Sequence, residues 1–306
     1  MHSNAARLAA AVVFALSGAA HAAPATSTLQ FVNGIALGGG SQDLSSGTAF
    51  DRRVGFFSDL YFDARRNEWW GLSDRGPGGG TLPYETRVQR FTLDVNPTTG
   101  AISNFRIVET LKFANAGAAL DGLAPNPAGT LGNSFDPEGL VINPRTGNLL
   151  VSDEYGPSLY ELDRTGAVVR RFAVPANLVP RAGSATNYNA TPPTLTAGRE
   201  PNRGAEGLAI SPDGRYAYLM LQNGTIQDGW SASARGQYTR IVKYDLETGE
   251  AVAQYAYRLE STGQGRGISA IVALGDDRFL VLERNNRGLG VGATLAGADK
   301  NVYEID

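Results

Sequence analysis

The sequence predicts an all-β protein, a β-propeller of four-stranded antiparallel blades with about four units present. Three observations lead there. Alternating apolar runs of strand length, separated by turn residues, dominate the chain, and no window after the N-terminal segment joins a helical period to caps. A Glu-Gly-Leu unit occurs twice, in "FDPEGLVINPRTGNLLVSDEYG" from Phe135 and in "GAEGLAISPDGRYAYLMLQNG" from Gly204, each time followed by an alternating strand and a turn. Turn signals at Asn96 to Gly100, Asp163 to Gly166 and Glu247 to Gly249 join further strand pairs. A four-stranded unit repeated at this scale is the signature of a propeller.

The first element is not part of that repeat. Residues 1–22 carry Arg7, an apolar run from Leu8 to Ala20 and the small-x-small site Ala20-His21-Ala22, which reads as a secretory signal peptide. The run is too short to span a bilayer, and no later stretch is apolar for long enough to do so. A secreted or periplasmic protein with no membrane span is expected, its domain running over residues 23–306.

Four units follow. The first is "FFSDLYFDARRNEWWGLSDRG" with "TRVQRFTLDVNPTTGAISNFRIVETLKF", and the second is the Phe135 stretch with "SLYELDRTGAVVRRFAVP". The third is the Gly204 stretch with "TRIVKYDLETGEAVAQYAYRL", and the fourth is "RGISAIVALGDDRFLVLERNN" with "KNVYEID". Superimposing them makes Ser58, Glu138, Glu206 and Ser269 equivalent. Their uneven spacing places long loops on one rim, and the segment from Pro175 to Arg203 is long enough that it should cover a site. The adjacent Trp69 and Trp70 should face opposite sides of their strand. The fourth unit stops at Asp306 inside its third strand. Either the chain is a piece of a longer propeller, the favoured reading, or residues 27–39 pair with the last sheet, since an open edge is a liability.

Composition narrows the chemistry. The 306 residues contain no Cys, and the two His residues, His2 and His21, both lie in the leader. A mature chain without either excludes a Ser-His-Asp triad, a Cys nucleophile and a zinc site of nitrogen and sulfur ligands. The net charge of −3 does not suggest a nucleic-acid partner. Hydrolytic chemistry would have to come from carboxylates, arginines, hydroxyls, or a hard cation held by oxygen.

Antiparallel order gathers such groups at one mouth of the channel, because the first strand of a blade starts where the second ends. Glu138, Asp153 and Glu154 from the second unit meet there and are the expected catalytic residues. Asp59, Asp74 with Arg75, Glu206 and Glu283 with Arg284 should lie near them. Like charges crowded in a partly desolvated funnel need a cation or an arginine among them. Calcium is the expected cofactor, held by Asp74, Glu138, Asp153 and Glu206, and Arg75, Arg203 and Arg284, with Arg266 on the same rim, should bind a small anionic substrate. The competing reading makes Glu-Gly-Leu a structural device, with Gly permitting close strand approach and Glu accepting backbone N–H bonds.

The order of "GFFSDLYFDARRNEWWGLSDRG", "FDPEGLVINPRTGNLLVSDEYGP", "NRGAEGLAISPDGR", "RIVKYDLETG" and "GISAIVALGDDRFLVLERN" resembles the family called esterase-like activity of phytase, from about Leu29 to Asp306. The resemblance implies phosphoester or ester hydrolysis, and it implies a further unit after Asp306. A phytase-like hydrolase, expected to be a monomer, is the leading expectation. A calcium-dependent lactonase or carboxylesterase and a non-enzymatic propeller binding module stay open beside it.

Overall fold

A computed structural model describes residues 32–306 except 56, 232–233, 262, 264, 289–293 and 295. The leader expected at residues 1–22 lies outside the described residues. The first blade is β1 (Phe57–Asp63), β2 (Glu68–Ser73), β3 (Arg87–Val95) and β4 (Ile102–Lys112), paired in chain order. A short hairpin of β5 (Ala114–Asn115) and β6 (Ala118–Ala119) leads to the second blade, β7 (Pro137–Ile142), β8 (Leu149–Asp153), β9 (Ser158–Leu162) and β10 (Val168–Arg171). Another hairpin, β11 (Arg181–Ala182) with β12 (Ala185–Thr186), lies inside the long connection to the third blade. That blade is β13 (Ala205–Ile210), β14 (Tyr216–Leu221), β15 (Tyr238–Asp245) and β16 (Ala251–Arg258). The fourth sheet has three strands, β17 (Gly267–Gly275), β18 (Arg278–Arg284) and β19 (Lys300–Ile305). Every pairing within a blade is antiparallel, and the described residues contain one helical turn, the 3₁₀ segment Ile226–Asp228. The propeller expected from the repeats is therefore present.

Blades stack face to face, so their middle strands are covered on both sides and buried along nearly their whole length, as in β8 and β14. One core, including Trp70, Phe135, Leu140 and Tyr160, lies between the first and second blades. A second, including Leu150, Leu208, Leu219 and Tyr244, lies between the second and third, and a third, including Met220, Ile268 and Val281, between the third and fourth. The four innermost strands, β1, β7, β13 and β17, line a channel cavity of about 500 Å³. Outer strands alternate between covered and exposed residues, as β16 and β19 do.

The turns form for the local reasons expected. Asp163 accepts hydrogen bonds from the Thr165 N–H at 2.8 Å and its hydroxyl at 2.6 Å, and Gly166 closes the turn at φ +87°. Asn96 and Asp245 hold the equivalent turns in the same manner. Trp70 is fully buried beneath the Arg164 guanidinium, whereas Trp69 packs on Phe62 with ring centroids 4.5 Å apart. The two rings thus face opposite sides of β2. The described part of the segment proposed to pair with the last sheet, residues 32–39, forms no strand, and Val32 lies against the Gly100 turn of the first blade.

Candidate functional site

Each of the four innermost strands carries a register shift near its start, between Phe57 and Asp59, Pro137 and Leu140, Ala205 and Gly207, and Ile268 and Ala270. The extra residue falls at Ser58, at Glu138 or Gly139, at Glu206 and at Ser269, the same positions the repeats make equivalent. A bulge re-aims the side chain it carries and bends the strand. Gly139 permits the bend beside the third blade, because a Cβ there would stand 2.6 Å from the Leu208 Cβ and 2.9 Å from the Leu208 nitrogen. Gly207 meets Ile271 of the fourth blade at 3.1 Å in the same way. The glycine half of the structural reading of Glu-Gly-Leu is therefore present.

The glutamate half is different. Neither Glu138 nor Glu206 accepts a backbone N–H bond among the described residues; Glu206 instead faces the Arg284 guanidinium at 3.5 Å. One carboxylate oxygen from each of Asp74, Asp136 and Glu138 lies within 4.8 Å of the others, and the same holds for Glu138, Glu154 and Glu206. Burial pushes the Asp136, Glu138 and Glu154 carboxyls above their ordinary range, and their acidic neighbours add to the rise at Asp136 and Glu138. Burial, followed by Glu154, lifts Glu206 to about 8. Asp136 Oδ1 and Glu154 Oε2 are buried with no hydrogen-bond partner. An all-oxygen donor set with orphaned buried carboxylate oxygens fits a hard divalent cation such as calcium.

Arginines enclose this cluster and are largely committed. Arg75 bonds Asp136 at 2.7 Å and the Asn202 side chain, and lies 5.7 Å from the centre of the Tyr155 ring. Arg203 donates to Asn223 at 2.9 Å and lies 4.0 Å from Glu200. Burial and the neighbouring Arg235 lower the Arg203 pKa, with Arg284 adding a smaller push in the same direction. Arg284 donates to Ser269 at 3.1 Å and to Asn286 at 2.5 Å. The long connection after Pro175 contributes the wall: Arg199 is buried and donates to the Tyr155 and Tyr188 carbonyls, and Asn202 and Arg203 follow it.

Some expected residues stand apart. Asp153 is fully buried, but its oxygens accept N–H bonds from Asp136, Tyr155 and Gly156 and the Ser158 hydroxyl, which fixes the turn rather than opening to the cluster. Glu283 turns away from the mouth to accept from the Tyr257 hydroxyl at 2.7 Å, while Arg284 beside it points inward. Arg266 is drawn to Glu283 and Asp299, also off the mouth. Asp136 was not among the expected ligands although it stands two residues before Glu138 in the repeated motif; its absence from the Gly204 copy was the available signal. Asp59 lines the channel cavity, where it accepts N–H bonds from Leu140 at 2.7 Å and Leu60 at 2.8 Å, and burial lifts its carboxyl to about 7 against those bonds.

A family described as Phytase-like, esterase-like activity of phytase, matches residues 52–306. The chain belongs to this family. Among relatives of this phytase-like chain is an uncharacterized secreted protein of Arthroderma benhamiae, 27% identical over an alignment covering 58% of this chain and 44% of that one. The chain thus spans less than half of that relative's length. Among solved structures it is similar to an exo-β-1,3-galactanase from Phanerochaete chrysosporium, with 12% identity, a TM-score of 0.40, and 81% of this chain and 45% of that one covered. It is also similar to a putative 6-phosphogluconolactonase from Bacteroides uniformis, with 14% identity, a TM-score of 0.36, and coverage of 84% and 73%. No helix among the described residues of the phytase-like chain is long and apolar enough to cross a membrane.

Proposed function

We propose that this chain is a secreted hydrolase of ester bonds, phosphoesters foremost, that works with a divalent cation at the channel mouth. The observation that carries the reading is the convergence of Asp74, Asp136, Glu138, Glu154 and Glu206 around two buried carboxylate oxygens without partners. Such crowding is costly in a calcium-free protein and is relieved by a bound cation. Calcium bound there would offset the carboxylate charge and polarise the ester oxygen of the substrate.

The chain's own residues account for the rest. Arg203 and Arg284, on the third and fourth blades, border the cluster and offer guanidinium donors to an anionic group. Arg75 holds Asp136 in place rather than reaching for substrate. Water adds at the phosphorus or acyl carbon, the ester bond breaks, and the leaving alcohol takes up the proton that the water gives up. With His2 and His21 outside the described residues, proton handling falls to the carboxyl groups of the cluster.

The test is a screen of p-nitrophenyl phosphate, phytate, simple esters and lactones, with chelator-treated protein and with calcium restored. Turnover of phosphoesters that is lost on chelation, regained with calcium and lost in Glu138→Gln supports the reading. Turnover that survives chelation overturns the cation-centred site. Calcium binding without turnover of any class replaces the hydrolase with a binding module, and preference for lactones or carboxylesters moves the substrate class.

A further inference from the structure

We infer that the mouth holds two divalent cations rather than one, with Glu138 bridging them. This rests on the cation-dependent reading above and deepens it. The carboxylates fall into two groups of three, Asp74 with Asp136 and Glu138, and Glu138 with Glu154 and Glu206, and Glu138 is common to both. Oxygen ligands stand about 2.3–2.6 Å from calcium, so donors sharing one ion lie within about 5 Å of each other. The oxygens of each group meet that limit, at 4.8 Å, but the five residues do not form one such group. One ion therefore cannot gather them all.

Three further observations divide the same way. Each group contains its own orphan: Asp136 Oδ1, in a side chain fully buried, belongs to the first, and Glu154 Oε2, in a residue 2% exposed, to the second. Each group also has its own arginine, Arg75 on Asp136 at 2.7 Å and Arg284 on Glu206 at 3.5 Å, so each ion-pair partner takes one oxygen and leaves the other available. Glu138 has no ion pair and no hydrogen-bonded partner among the described residues, as a residue that gives one oxygen to each ion should. Counting the five carboxylates and these two arginines, one divalent ion leaves the mouth negative, whereas two leave it positive, the sign an anionic substrate requires.

The blades explain why the bridge is Glu138. Asp74 follows β2 of the first blade, Glu206 belongs to β13 of the third, and Glu138 sits on the bulge of β7 between them. Only the middle blade can reach both neighbours. Its other two carboxylates each have a partner on a different side: Asp136 accepts from Arg75 of the first blade at 2.7 Å, and Glu154 accepts the Gly204 N–H, just before the third blade, at 3.1 Å.

Calorimetric titration of chelator-stripped protein with calcium chloride tests the inference without reference to activity. Two equivalents are expected for the wild type, one each for Asp74→Asn and Glu206→Gln, and at least a tenfold weakening of both for Glu138→Gln. Asp74 is partly exposed, at 32% of its side chain, so Asp74→Asn should fold even where a buried variant does not. A single equivalent in the wild type, or two undiminished equivalents in both Asp74→Asn and Glu206→Gln, overturns the two-ion site. Of these, the single equivalent leaves cation dependence standing, whereas no calcium binding at all removes both.

Discussion

Arg75 and Asp136, sixty-one residues apart in the chain, are joined at 2.7 Å by a guanidinium–carboxylate bond that ties the end of β2 to the start of β7. Asp136 is fully buried, so its charge depends on this partner. The Arg75→Ala variant leaves it unpaired and should lose about 3 kcal/mol of stability in calcium-free buffer. Urea denaturation measures this. A loss below about 1 kcal/mol, the range of exposed pairs, would mean that the bond is dispensable.

Glu138→Gln should shift stability the other way. Its carboxylate stands among like charges without a compensating partner, so removing the charge relieves repulsion in the calcium-free protein. The melting temperature without calcium should rise above wild type, and the rise that calcium gives the wild type should disappear. A variant that melts lower than wild type in EDTA would show that the glutamate is structural.

Asp153→Asn separates turn-making from cation binding. The amide keeps one acceptor oxygen but places donor hydrogens where the Gly156 N–H and Ser158 hydroxyl now donate. The expected cost is about 1–3 kcal/mol, with the calcium stoichiometry unchanged. Loss of calcium binding at full stability would restore Asp153 to the ligand set.

Asp59 should make stability depend on pH. Its folded pKa is about 7 against an ordinary 3.8, so the folded state holds the proton more tightly than the unfolded chain. The contribution is fully present below about pH 4 and is lost as the pH rises through about 7. Calcium-free melting temperatures should fall across that window, and Asp59→Asn, which cannot ionise, should flatten the fall. Parallel curves for the two proteins would show that Asp59 titrates normally.

Strand order, turn positions and the equivalence of Ser58, Glu138, Glu206 and Ser269 were legible in the sequence, because they depend on local periodicity and on turn residues such as Asp163 and Gly166. The same period of two already separates Trp69 from Trp70. What the tertiary structure decided is which neighbouring acids meet. Bulges reset the alternation at each blade mouth, so Glu154 joins the cluster while Asp153 turns into its own loop, and Arg284 faces inward while Glu283 faces the third blade. Asp136 becomes a member only because Arg75 and Glu154 arrive beside it from other strands. Spacing along a chain orders the residues of one blade, but the distance between oxygens on different blades is set by the side chains packed between them. Burial, likewise a product of that packing, is what lifts Asp59 and Glu206 to about 7 and about 8 in a chain whose two histidines, His2 and His21, lie outside the described residues.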